Sequence, residues 1–221
     1  MRPRLLDLFC GAGGCSVGYH RAGYDVWGVD LYPHKDYPYR LTVADALDVL
    51  TDAPFLALFD VIHASPPCQE HTRAKHLRAA QGGTVREDAH DLIGPVRAAL
   101  AAWGGPYVIE NVPGAPIRPD VLLCGSAFGL KVRRHRWFES NMPLGLQPGC
   151  RHAEQGRPVG VYGSAADEIP DGGRTARTVK EAGEAMGTEW VTRWADQVEA
   201  IPPAYTQWVG EQIRDHLGVA S

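Results

Sequence analysis

The segment Ser65-Pro66-Pro67-Cys68-Gln69 follows an apolar run at 59–64 and sets a thiol where it could act as a nucleophile. Two prolines fix the backbone ahead of Cys68, while polar neighbours and the basic residues Arg73, Lys75 and Arg78 favour the reactive thiolate form. An isolated cysteine is more often an inert small hydrophobe, so position must carry the reading. Glu110 stands at the matching end of the next apolar run, 107–112, and could face the same pocket. A second chemistry-bearing feature is the turn Phe9-Cys10-Gly11-Ala12-Gly13-Gly14, whose glycines remove Cβ atoms that would hold a ligand off the backbone. Asp30 ends the following apolar run, where a carboxylate can accept hydrogen bonds from both hydroxyls of a ribose, and Asp45 could reach an adenine amino group. The turn is not Gly-x-Gly-x-x-Gly and has no Gly-Lys-Ser/Thr ending, which disfavours a nicotinamide or triphosphate and favours another nucleoside cofactor.

These residues need a frame that brings them to one edge. Strands are expected near 5–9, 26–30, 41–45, 59–64 and 107–112, with helices near 16–22 and 86–102, a strand–helix alternation that implies a parallel sheet covered on both faces. Glycine, proline and polar residues dominate 141–173, which reads as loops with a small hairpin. Helices are expected again at 181–186, 191–198 and, after Pro202-Pro203, at 204–217.

With 221 residues and 44% apolar content, the chain can bury one sizeable core with a small appendage. Five cysteines without a CxxC pair argue against a secreted disulfide framework and for a reducing cytoplasm. No apolar run reaches the roughly 18 residues of a membrane span. The formal net charge of −4 excludes a strong overall positive field, yet basic residues crowd two segments, Arg73 to Arg78 and Lys131 to Arg136. Cys150 and His152 lie close together for two zinc ligands and have no second pair nearby in sequence, so no metal is expected.

Taken in order, Asp7-Leu8-Phe9-Cys10-Gly11-Ala12-Gly13-Gly14, Asp30, Pro67-Cys68-Gln69, Glu110-Asn111-Val112 and Arg134-His135-Arg136 resemble the cytosine-C5 DNA methyltransferase family across residues 4–138. Ala200-Ile201-Pro202-Pro203-Ala204 and Gly210 resemble the family's last cofactor-side motif without its usual Gly-Asn. The resemblance implies an α/β, Rossmann-like S-adenosylmethionine-dependent methyltransferase fold, a mostly parallel doubly wound sheet with a small irregular appendage. Its divisions would be a catalytic core at 1–138, a reduced target-recognition region at 139–179, and C-terminal helices at 180–221 completing the core. S-adenosyl-L-methionine would be held by Phe9, Gly11, Gly13, Gly14, Asp30, Asp45 and Pro67.

By the same resemblance, Cys68, Glu110, Arg136 and Arg134 carry catalysis, and Gln69, Asn111, Arg73, Lys75 and Arg78 bind substrate. Cys68 would add to carbon 6 of a cytosine flipped out of the duplex and Glu110 would hold or protonate ring nitrogen 3. Arg136 would contact the base, and Arg134 the pocket or a phosphate. DNA is the implied partner, with no membrane, for a monomer acting alone or with a specificity partner. Family members usually carry a substantial recognition region, whereas only about 139–179 is available here; Arg151, His152, Arg157, Tyr162, Arg174 and Arg177 are its candidate DNA contacts. Two alternatives stay open, an RNA cytosine-C5 methyltransferase and an inactive DNA-binding module of the same fold.

Overall fold

In the computed structural model, residues 2–67, 91–163, 169 and 172–218 are described. Cys68, Gln69, Arg73, Lys75 and Arg78 therefore lie outside the described residues.

β1 (Arg4–Leu8) is buried at every position after the first, as expected of a strand covered on both faces. It pairs in parallel with β2 (Asp25–Asp30) and β4 (Val61–Ala64). β3 (Arg40–Val43) extends the sheet beyond β2, and β5 (Tyr107–Asn111) extends it beyond β4, both in parallel. Two further strands, β6 (Val121–Leu123) and β7 (Arg136–Ser140), complete the order β3-β2-β1-β4-β5-β7-β6. β7 pairs antiparallel with both β5 and β6, so it is the reversed strand of an otherwise parallel sheet. This is the Rossmann-like arrangement of S-adenosylmethionine-dependent methyltransferases. The order turns back between β1 and β4, and ligands of open α/β sheets bind outside the carboxyl ends of strands at such a point.

Alternation along the strands divides the core into two layers. Leu6 and Leu8 of β1 join Val29, Ile62, Ala64 and Ile109 beneath α4 (Ile93–Trp103), with the short helices α2 (Ala46–Val49) and α3 (Ala53–Leu56) at its margin. Leu5 joins Val26, Val61 and Val108 on the other face, against Tyr19 of α1 (Gly14–Arg21) and Tyr205, Val209 and Ile213 of α8 (Pro203–Leu217). α8 thus packs against the main core.

Over 141–173, expected to be loops with a small hairpin, and just beyond it the structure differs. The described residues there form α5 (His152–Gln155) and β8 (Val159–Gly160), and β8 pairs in parallel with β9 (Arg174–Thr175). Val132, Val161 and Ala176 pack with Ala182, Ala185 and Met186 of α6 (Val179–Met186) and with Ala200 after α7 (Trp194–Glu199) into a third, smaller cluster. α6 and α7 therefore buttress the appendage, while α8 belongs to the main core. Among the described residues, no helix is long and apolar enough to cross a membrane.

Candidate active site

The turn after β1 is held in an uncommon backbone shape. Phe9 has φ 60° and Gly11 φ 51°, and the Gly11 N–H donates to Asp30 Oδ2 at 2.9 Å. Asp30, at the end of β2, also accepts from the Tyr32 N–H at 3.1 Å through Oδ1, and His34 Nε2 lies 3.3 Å from that oxygen. The glycine turn and Asp30, the two places where a nucleoside was expected to bind, are thus in direct contact. The three glycines have different reasons to be there. A Cβ on Gly11 would meet nothing within 4 Å, whereas one on Gly14 would sit 2.3 Å from the Ile201 carbonyl and one on Gly13 2.9 Å from Pro38 Cδ. Gly11 therefore borders open space, and Gly13 and Gly14 let Tyr37, Pro38 and the loop before α8 close over the turn. Asp45 lies just past the end of β3 and caps α2, its Oδ1 accepting from the Leu47 N–H at 2.8 Å. Leu31 and Tyr32 are exposed beside Asp30 and offer apolar cover that composition did not single out.

Beneath the turn lies a buried polar cluster missed by the sequence reading. Ser16 Oγ donates to Asp7 Oδ2 and lies 2.8 Å from the Tyr37 hydroxyl, while Asp7 Oδ1 has no partner. Burial pushes the Asp7 carboxyl up to about 7, an effect that the Ser16 hydrogen bond offsets only in part.

The second half of the site forms where β4 and β5 end and the antiparallel β7 begins. Glu110 of β5 is 4% exposed, and its Oε1 lies 3.0 Å from Arg136 Nε of β7, close enough for an ion pair but not aligned as a hydrogen bond. Burial raises the Glu110 carboxyl above the usual carboxylate range, although Arg136, a Ser65 hydrogen bond and Arg134 all pull it down. Ser65 Oγ is 2.9 Å from His63 Nε2, and His63 Nδ1 is 2.9 Å from the Tyr19 hydroxyl. Burial depresses His63 to about 3, so its ring is neutral and connects Tyr19 to Ser65 without adding charge.

Asn111 and Arg134 are both engaged in hydrogen bonds within the protein. The Asn111 side-chain amide donates to the Pro66 carbonyl at 3.0 Å and its oxygen accepts from the Val112 N–H at 2.9 Å, so it pins the Ser65-Pro66-Pro67 turn rather than reaching outward. Arg134 donates to the Val161 carbonyl at 3.2 Å and to the Val198 carbonyl. Its guanidinium thereby joins the appendage and α7 to the core. Desolvation lowers its pKa to about 9, with Arg136 adding to the effect. Arg134 holds φ 38°, a costly value for a side-chain-bearing residue, and the Tyr205 hydroxyl of α8 steadies it by donating to the Arg133 and Arg134 carbonyls at 3.1 and 2.9 Å. Tyr205 carries no motif signal, because its role arises only from the packing of α8. Pro67 is exposed at the mouth of the site, and Cys68 is the next residue.

No protein-family model matches the chain. The Type II methyltransferase M.FnuDI of Fusobacterium nucleatum is 33% identical over 82 residues, 34% of this chain and 23% of that protein. The Type II methyltransferase M1.HphI of Haemophilus parahaemolyticus is 31% identical over 126 residues, 51% of this chain and 33% of that protein. The matches thus span a third or less of these relatives' lengths. The S. pombe Dnmt2 methyltransferase superposes with a TM-score of 0.64 at 14% identity, covering 99% of this chain and all of that one. The chain has the fold of these methyltransferases.

Proposed function

We propose that this protein transfers a methyl group from S-adenosyl-L-methionine to carbon 5 of cytosine in DNA, with Cys68 as nucleophile. The reading is supported most by one observation. Buried Glu110, its carboxyl raised and paired at 3.0 Å with Arg136, lies beside the Ser65-Pro66 turn that leads directly into Cys68. The open space at Gly11 and the carboxylate of Asp30 fit an adenosine-type cofactor, and Asp45 Oδ2 and Leu31 are candidates to meet its base. S-adenosylmethionine supplies an electrophilic methyl group when bound.

The chain's residues supply what cytosine lacks, since carbon 5 is too poor a nucleophile unaided. The Cys68 thiolate forms a bond to carbon 6, and the displaced ring electrons are accommodated as Glu110 delivers a proton to nitrogen 3. Carbon 5 is then electron-rich and can take the methyl group. Loss of the carbon-5 proton to a base restores the double bond and expels the thiolate, and nitrogen 3 returns its proton to Glu110, which is ready for the next turn. Arg136 holds Glu110 and reaches the base edge, while Asn111 fixes the turn that presents Cys68. Both Type II methyltransferase relatives agree with methyl transfer as the reaction class.

The test is methyl transfer to duplex DNA and to RNA in parallel, with the products digested to nucleosides. Radiolabel in 5-methyldeoxycytidine supports the proposal. Label confined to RNA would move the substrate to that polymer, and label on an exocyclic amine would overturn the carbon-5 reading.

A further inference from the structure

A cluster outside this site is left unexplained by methyl transfer. Cys124 follows β6, His135 precedes β7, and Cys150 and His152 lie at the start of α5, yet their ligand atoms all come within 4.8 Å of one another. Cys124 Sγ is 3.2 Å from His152 Nε2, and Cys150 Sγ is 3.5 Å from His135 Nε2. A tetrahedron with zinc–sulfur bonds of about 2.3 Å and zinc–nitrogen bonds of about 2.0 Å has edges of roughly 3.3 to 3.8 Å. The four donors therefore need only small adjustments to surround one ion. We propose that Cys124, His135, Cys150 and His152 form a structural zinc site that clamps the first part of the 139–179 segment to the stretch that carries Arg134 and leads into β7 at Arg136.

Several features favour a metal over simple packing. Two thiols and two imidazole nitrogens converge from three separate stretches of chain, and soft sulfur with imidazole in tetrahedral array is the donor set that selects zinc. A disulfide would not require the two histidines, and both cysteines are free thiols. Support from the surrounding shell is also present. Ser126 Oγ lies 3.1 Å from Cys124 Sγ and accepts from the Arg151 N–H at 3.0 Å, so one hydroxyl ties both ligand-bearing segments together. Gln155 of α5 donates to the Leu130 and Val132 carbonyls, each at 2.9 Å, docking the helix on the same stretch. With four protein ligands the site is closed, which suits a structural ion rather than one that activates water. Its consequence for the active site is direct, because His135 lies between Arg134 and Arg136 in the chain.

The test uses the full chain, expressed with zinc in the medium and dialysed free of loose metal. Elemental analysis should find about one zinc per chain, and cobalt exchanged into the site should give the visible bands of tetrahedral cobalt with sulfur-to-metal charge transfer. The Cys68→Ser variant should retain full metal, whereas Cys150→Ser and His152→Ala should lose it or bind it at least about tenfold more weakly. If those variants do not fold, wild type still decides the matter. Alkylation of exposed Cys150 should be at least about tenfold slower in the metal-loaded protein than after a chelator has removed the ion. Folded wild type without bound zinc and without a tetrahedral cobalt spectrum would overturn the proposal, as would a Cys124–Cys150 disulfide found by mass spectrometry.

Discussion

Glu110 shows how burial and charge set a residue's chemistry. Its carboxyl is raised by desolvation while Arg136 pulls the other way, so the acid form, the form that can donate to a ring nitrogen, persists to higher pH than in an ordinary glutamate. The rate should therefore fall as pH rises through the Glu110 pKa, giving the alkaline limb of a bell whose acid limb is set by the thiolate. Glu110→Gln should lower kcat by about 100-fold or more and erase the alkaline limb; an unchanged limb would assign it to another group. Asp30→Ala removes the acceptor proposed for the ribose hydroxyls, and cofactor affinity measured by calorimetry should drop roughly 10- to 100-fold. Asp7 yields a stability prediction. Its folded pKa of about 7 lies above the unfolded value, so its contribution is fully present below about pH 4 and lost as pH rises through 7. Asp7→Asn should accordingly stabilise the protein by roughly 3–4 kcal/mol at pH 8 and by only about 1–2 kcal/mol at pH 5, read from denaturant titrations. Equal gains at both pH values would show that Asp7 is not held as a strained carboxyl. The types of Glu110 and Asp30 are legible in sequence because each stands at the end of an apolar run, and that of Arg136 only through the resemblance of Arg134-His135-Arg136 to a family motif. The tasks of Asn111 and Arg134 are not, since a side chain's partner on a distant carbonyl, Pro66 or Val198, leaves no local trace.

At the scale of elements, the turn from β1 to α1 separates two uses of glycine. Gly14→Ala drives a Cβ to within 2.3 Å of the Ile201 carbonyl, a backbone atom with little freedom to yield. It should cost about 1–3 kcal/mol of stability, seen as a lower Tm. Gly11→Ala meets no atom but must adopt φ 51°, costing about 1–2 kcal/mol, and its methyl would project into the proposed cofactor space. Cofactor affinity should therefore fall in Gly11→Ala by more than in Gly14→Ala. The reverse order would move the ligand away from Gly11. β1, β2, β4 and β5 are plain in the sequence as apolar runs, while β6 and β7 are not. β6 has three residues, and β7 buries a charge, Glu139, that reads as surface until Arg97 of α4 is seen to bind it through two hydrogen bonds of 2.8 and 2.7 Å. The parallel pairing of β8 with β9 was equally hidden, because two-residue strands have no periodicity to read.

For the whole molecule, the division into a methyltransferase core and a small appendage follows from chain length and motif order, but the way the two are joined does not. Arg134, the third apolar cluster and the four converging cysteine and histidine side chains all act across that junction. Under the proposed function, an acidic balance and only the short segment 139–179 for recognition imply few phosphate contacts, each of which contributes about −0.9 to the slope of log affinity against log salt. A slope of about −3 to −5 on duplex DNA is expected, and one near −10 would point to a larger binding surface or a dimer. The central claim is the covalent step, and DNA bearing 5-fluorocytosine tests it most directly, because fluorine cannot leave carbon 5 as a proton does. With S-adenosylmethionine present, wild type should form a denaturant-resistant adduct that mass spectrometry maps to Cys68, and Cys68→Ser should form none. Methyl transfer to DNA without such an adduct, or an equal adduct in Cys68→Ser, would contradict the account.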